Sequence, residues 1–124
     1  MNLAFVPGEY AIGRLDPREP VPPWAMVGTA FWTVSRSADE LSIVAEERLI
    51  PADVRSERGY ALLRIAGTLP MDAVGVLAGI ARTLAADGIS IVCIGTYDTD
   101  YFLIKRERLA EARLLLERAG YTFV

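Results

Sequence analysis

The sequence predicts an α+β protein, on three observations. From Tyr60 onward, short β-branched runs alternate with two helical patterns in the order β-α-β-β-α-β, the ferredoxin-like arrangement. The first half echoes the second, each containing two apolar strands joined by a polar, acidic turn. Composition is that of a packed globule, with 52% hydrophobic and 23% charged residues in a chain of 124. That length suits one compact unit or two small ones sharing a core. The expected organisation is two tandem ferredoxin-like units, residues 1–59 degenerate and 60–124 complete, with antiparallel sheets and helices on one face.

In the first half, Asn2 to Val6 and Tyr10 to Leu15 read as short strands broken by Pro7-Gly8. Four prolines between Asp16 and Trp24 exclude an ordinary helix interior there. The first helix of this half is therefore expected only as a remnant near Pro23-Met26. Ala30-Phe31-Trp32-Thr33-Val34 is a strand, Ser35 to Glu40 a turn, and Leu41-Ser42-Ile43-Val44-Ala45 the next strand. Trp24 and Trp32 are expected in the core or between the repeats, because large aromatics dominate such burial.

In the second half, Ala61 to Ala66 is a strand closed by Gly67. Asp72 is placed to cap a helix whose stripe is Leu77, Ile80, Ala81 and Leu84, with Gly88 ending it. Ile89 to Ile94 is a β-branched buried strand, and Cys93 within it reads as an inert buried thiol. Asp98-Thr99-Asp100 connects to the strand Tyr101-Phe102-Leu103-Ile104. A helix from about Glu107 to Ala119 follows, with Leu109, Ala112, Leu116 and Ala119 on one face, and then Gly120 and the closing strand Tyr121-Thr122-Phe123-Val124.

Several functions are excluded or made remote by what the chain lacks. Without histidine, Ser-His and Cys-His nucleophiles, histidine metal sites and the commonest general base are unavailable. Lys105 is the only lysine, and no Walker-type or GxGxxG loop occurs. Net charge −3 and a pI near 4.9 offer no basic stripe for a nucleic-acid partner. The longest apolar stretch, Ala73 to Ala86, is too short for a membrane span and contains Arg82. No basic leader opens the chain, and Cys93 is the single cysteine, so a cytoplasmic location is expected. Enzyme chemistry would have to rest on Asp98, Asp100 or Asp39, and a non-catalytic protein needing no cofactor or metal is the expectation.

The segment Thr96-Tyr97-Asp98-Thr99-Asp100-Tyr101 places two carboxylates two residues apart between tyrosines. Aspartates favour turns because their side chains satisfy local backbone groups, which alone explains the pair. The other reading is a pocket rim that grips a cation. Metal binding by Asp98 and Asp100, with Asp39 and Glu40, is a weaker alternative because hard cations need more oxygen ligands. Gly75 and Gly79 are spaced for close packing of the first helix, while Gly75 near its start could also admit an anion to free N–H groups.

The strings Gly28-Thr29-Ala30-Phe31-Trp32-Thr33-Val34 and Asp39-Glu40-Leu41-Ser42-Ile43-Val44 go with Gly75-Val76-Leu77-Ala78, Gly88-Ile89-Ser90-Ile91 and Thr96 to Tyr101. Together they resemble the bacterial tandem ACT-domain family, related to the ACT domains of the CASTOR arginine sensors. The resemblance covers nearly the whole chain from Asn2. It implies a ferredoxin-like regulatory module that binds an amino acid between paired domains. Carried over, the loop that holds the ligand's head is Leu69-Pro70 with Asp72, Ala73 and Gly75. The acidic turn becomes Thr96, Tyr97, Asp98 and Asp100, and Ser90 and Ile91 match a segment that meets ligand from the facing domain. Pro70 stands where the sensors have glycine and Ala73 where they have glutamate, so arginine itself is not implied.

The expected function is thus a regulatory module taking a small amino acid or related metabolite, cationic ones among the candidates, with a homodimer formed through the ACT domains. The rival is a ligand-free protein-interaction module that dimerises or docks through its sheet edges.

Overall fold

A computed structural model of the protein describes residues 1–124 throughout. Its strands are β1 (Asn2–Leu15), β2 (Thr33–Arg36), β3 (Leu41–Glu46), β4 (Ser56–Ile65), β5 (Val92–Gly95), β6 (Asp100–Lys105) and β7 (Thr122–Phe123). The helices are α1 (Val76–Ala85) and α2 (Leu109–Arg118). The chain forms two compact units, Met1–Val6 with Ala61–Val124, and Pro7–Tyr60.

In the first of these units β5 lies beside β6, β6 beside β4, β4 beside β1, and β7 beside β1. The β5–β6 hairpin is antiparallel, whereas β7 runs parallel to β1 through Asn2↔Thr122 and Leu3↔Phe123. The β-α-β-β-α-β order expected from the sequence is present, but its closing strand does not return to the first. The chain's own N-terminal residues take that place, so the ferredoxin-like half is completed by a strand from the other end of the sequence. Leu3, Leu63, Ile65, Phe102 and Ile104 form one apolar face, and Ile80 and Leu84 of α1 and Ala112 and Leu116 of α2 pack on it. Each is at most 2% exposed, so removal of apolar surface from water is close to complete and drives this packing. Both helices therefore cover one face of the sheet.

The second unit has its own cluster of Ala11, Ala25, Leu41, Ile43, Ala45 and Ile50, with Trp24 packed against it. Strand β3 pairs antiparallel with both β1 and β2. The helical remnant expected at Pro23-Met26 is a single 3-10 turn over those residues, with Pro23 at its first position where no N–H is needed. Each β2–β3 pair, from Thr33↔Val44 to Arg36↔Leu41, has a β5–β6 counterpart at both positions plus 59, from Val92↔Leu103 to Gly95↔Asp100. A 3-10 turn then follows each hairpin, at Glu47–Leu49 and Arg106–Arg108.

Several local expectations are corrected. Asn2 to Leu15 is one strand, because Gly8 adopts φ +108° and carries the chain past Pro7 while pairing continues on either side. Strand β2 starts at Thr33, leaving Ala30, Phe31 and Trp32 outside it, and Trp32 is 40% exposed. Strand β4 begins at Ser56; its polar start is held by Arg58 donating to the carbonyls of Ile50 and Pro51 and by Gly59 N–H donating to Glu47 Oε1. Strand β5 begins only at Val92, and Cys93 on it is exposed, not buried. Leu77 is 42% exposed, so the inward face of α1 is Ile80 and Leu84, fully buried, with Val76 packed partly buried beside them. Helix α2 begins at Leu109, after the 3-10 turn, and Ala119 is exposed beyond its end. No helix is long and apolar enough to cross a membrane.

Candidate functional site

The connection from β4 to α1 and the turn of the β5–β6 hairpin meet at one place in the unit formed by Met1–Val6 and Ala61–Val124. The turn closes on itself. Thr96 N–H and its hydroxyl both donate to the Thr99 carbonyl at 2.9 Å, and Thr99 N–H donates back to Thr96 Oγ1 at 3.3 Å. Thr99 is the one buried polar residue, 6% exposed, and its hydroxyl donates to the carbonyl of Ile65, the last residue of β4, at 2.7 Å. The following loop is then tied to the turn, because Leu69 N–H donates to the Asp98 carbonyl at 2.7 Å.

Beyond Leu69, the Ala73 N–H donates to the Pro70 carbonyl, so Pro70 to Ala73 is a turn and not the start of a helix. This overturns Asp72 as the helix cap: Asp72 lies exposed in that turn, and the cap position is Gly75. Gly75 holds φ +80°, a left-handed conformation that glycine adopts without steric cost, and no side chain caps the helix. Its surroundings are open, with no atom within 4 Å of where a Cβ would stand. Gly79 differs, since a Cβ there would meet the Tyr121 hydroxyl oxygen at 2.9 Å, which assigns it to close packing.

These elements border an open cleft of about 430 Å³. Of the residues expected at a site, Leu69, Pro70, Ala73, Gly75, Thr96, Tyr97 and Asp100 line it. Four do not. Asp72 and Ser90 are exposed elsewhere, Ile91 packs against the apolar cluster, and Asp98 contributes its backbone while its side chain faces solvent. For Asp98, then, turn chemistry accounts for the residue, and Asp100 alone of the pair reaches the cleft. Sequence reasoning missed Met71, Val76, Leu77, Ala78 and Thr99, which also line it. Thr99 lay inside the acidic turn with nothing to mark it as buried, and Leu77 was hidden by falling on the helical stripe.

The cleft is mostly apolar, and Asp100 is the only charged side chain that lines it. The first turn of α1, whose N–H groups have no intrahelical acceptor, carries no acidic residue and borders the cleft through Val76, Leu77 and Ala78. Asp100 pairs with Gly95 across the hairpin, and its charge, after partial desolvation of the sulfur, helps push the Cys93 thiol above its ordinary pKa. The rim is exposed and apolar, with Met71 at 73% and Tyr97 at 84%. No group of three or more Cys, Asp or Glu side chains is placed to hold a metal ion.

Comparison with known proteins supplies independent information. The family model described as ACT domain matches residues 55–118, more than half of the chain. A second model, described as an N-terminal domain, matches residues 8–53. Among solved structures, the chain is similar to protein Atu0741 from Agobacterium tumefaciens, with 33% identity, 99% of this chain and 91% of that one covered, and a TM-score of 0.93. A protein of unknown function from Vibrio cholerae matches at 22% identity over 96% and 89% of the two chains, with a TM-score of 0.77. The ligand-free regulatory subunit of aspartate kinase from Thermus thermophilus shares the fold at 14% identity, over 97% and 98% of the chains, with a TM-score of 0.65. No curated protein matches the chain.

Proposed function

The chain belongs to the ACT-domain family, and from that membership we propose that it is a non-catalytic regulatory module whose cleft takes a small amino acid or a related metabolite. ACT-domain homologues are regulatory amino acid-binding modules. The observation that carries the proposal is the junction of Leu69 N–H with the Asp98 carbonyl, which brings the loop before α1 against the Thr96–Asp100 turn and leaves a cleft between them. A charged hydrogen bond contributes about 1.5–3 kcal/mol, whereas micromolar affinity needs about 8 kcal/mol. Asp100 alone does not reach that, so the ligand must be enclosed.

A second copy of the chain is the proposed cover, supported by the exposed apolar rim at Met71 and Tyr97. Ligand binding would then act by shifting the geometry of that dimer or its contacts with another protein. The same rim favours the second reading, a ligand-free interaction module; what weighs against it is the open cleft behind the rim.

The tandem organisation belongs to the same proposal, with residues 1–59 as a degenerate ACT-like unit and 60–124 as the complete one. Its support is the shared hairpin register at an offset of 59. Arg36 stands where the second hairpin has Gly95, and its guanidinium donates to the carbonyls of Pro17 and Glu19. The proline-rich loop is thereby fastened to a hairpin whose counterpart borders a cleft. Kinship with the CASTOR sensors and a cytoplasmic setting complete this reading, resting on the sequence strings and the lone cysteine.

A thermal-shift screen of the full chain against the twenty amino acids tests the proposal. At least one should raise the melting temperature in a concentration-dependent way. No shift at saturating concentration across the panel would leave the interaction-module reading in its place.

A further inference from the structure

We infer that the amino acid taken by this cleft carries an uncharged, apolar side chain; the inference rests on the cleft being the ligand site. The charge inventory decides it. An amino acid brings an ammonium and a carboxylate whatever its side chain. The cleft lining offers one counter-charge for a cation, Asp100, and one region suited to an anion, the first turn of α1, with no side-chain cap and no acidic residue. Those two groups match the ligand's head, and the lining that this chain supplies holds no further charge for a side chain.

The remaining polar side chains do not change the balance. The Thr99 hydroxyl is committed to the Ile65 carbonyl, and the Thr96 hydroxyl both donates to and accepts from the Thr99 backbone. Tyr97 brings a hydroxyl but no charge and is 84% exposed at the rim, and the other side chains of the wall, Leu69, Pro70, Met71 and Leu77 among them, are apolar. A charged ligand side chain placed there would lose hydration with no partner, which is strongly unfavourable. If Asp100 instead gripped a cationic side chain, the α-ammonium would be the charge left without a partner. An aliphatic or thioether side chain meets neither penalty. It would also cover Met71, which is 73% exposed in the free chain.

Isothermal calorimetry of the full chain with leucine, isoleucine, methionine, arginine, lysine and aspartate tests this. At least one of the three apolar ligands should bind roughly tenfold or more tightly than every charged one, because the latter bury an unpaired charge. N-acetyl-leucine and leucinamide should each lose at least about tenfold relative to leucine, as each removes one head charge. Asp100→Asn should weaken the preferred apolar ligand by about tenfold. Arginine or lysine binding as tightly as the apolar ligands would overturn the inference while leaving the amino-acid site standing. Asp100→Asn that weakens only cationic ligands would do the same. Absence of binding by this panel, with a polar uncharged amino acid raising the melting temperature in the screen of twenty, would overturn the inference and leave the site; absence in both would take down the two together.

Discussion

The hydroxyl of Thr99 donates to the carbonyl of Ile65 across 2.7 Å, with both residues buried. This bond fastens the hairpin turn to the end of β4, from which the loop bordering the cleft departs. Thr99→Val keeps the shape and removes the donor, so the buried carbonyl loses this hydrogen bond, at a cost of about 0.5–1.5 kcal/mol. Thr99→Ser, which keeps the hydroxyl, should cost less. Chemical denaturation of both variants measures the difference, and a Val variant as stable as the wild type would show that the bond contributes nothing.

Gly79 and Tyr121 are coupled by space. Alanine in a helix interior is worth about 1 kcal/mol over glycine, but a Cβ at Gly79 would stand 2.9 Å from the Tyr121 hydroxyl oxygen. Gly79→Ala should therefore stabilise the Tyr121→Phe protein by roughly 0.5–1 kcal/mol and the wild type by less, or destabilise it. Equal effects in the two backgrounds would mean that the side chains do not meet.

Much of the fold was legible because periodicity reports burial. Ile80, Leu84, Ala112 and Leu116 fall on their stripes and are buried as the pattern requires. The failures have physical causes. Leu77 fits the same stripe, but the Pro70–Ala73 turn delays α1 to Val76, so Leu77 stands in the open first turn beside the cleft. The pairing of β7 with the N-terminal strand was illegible because no local pattern specifies a partner more than a hundred residues away. At the site, Asp100 was found through its acidic, tyrosine-flanked turn. Thr99 was missed because a threonine beside two aspartates carries no signal of burial.

Leu116 and Leu77 separate core from cleft by measurement. Leu116 is fully buried, so Leu116→Ala should cost about 2–5 kcal/mol. Leu77→Ala should change stability by no more than about 0.5 kcal/mol, as at most surface positions. A large loss at Leu77 would return it to the core and remove it from the cleft wall.

Cys93 gives a pH signature. Partial desolvation and then the charge of Asp100 raise its thiol pKa, so the folded chain holds this proton more tightly than the unfolded chain does. Its contribution to stability is intact at neutral pH and is lost as pH rises past the ordinary thiol range. Alkylation by iodoacetamide should accordingly reach half its limiting rate above that range. Asp100→Asn should move the curve to lower pH by removing the nearby charge. A curve unmoved by Asp100→Asn would place the two groups too far apart to interact.

The claim that this ACT-domain chain carries an amino-acid site between the α1 approach and the hairpin turn is tested most directly by residue-resolved NMR. The amide spectrum of the ¹⁵N-labelled chain would be followed during titration with whichever amino acid raises its melting temperature. Saturable shifts should concentrate at Leu69, Ala73, Gly75 to Ala78 and Thr96 to Asp100, the segments that border the cleft. Saturable shifts confined to Pro7–Tyr60, where Gly8, Glu46 and Arg58 line a separate cleft, would contradict the account.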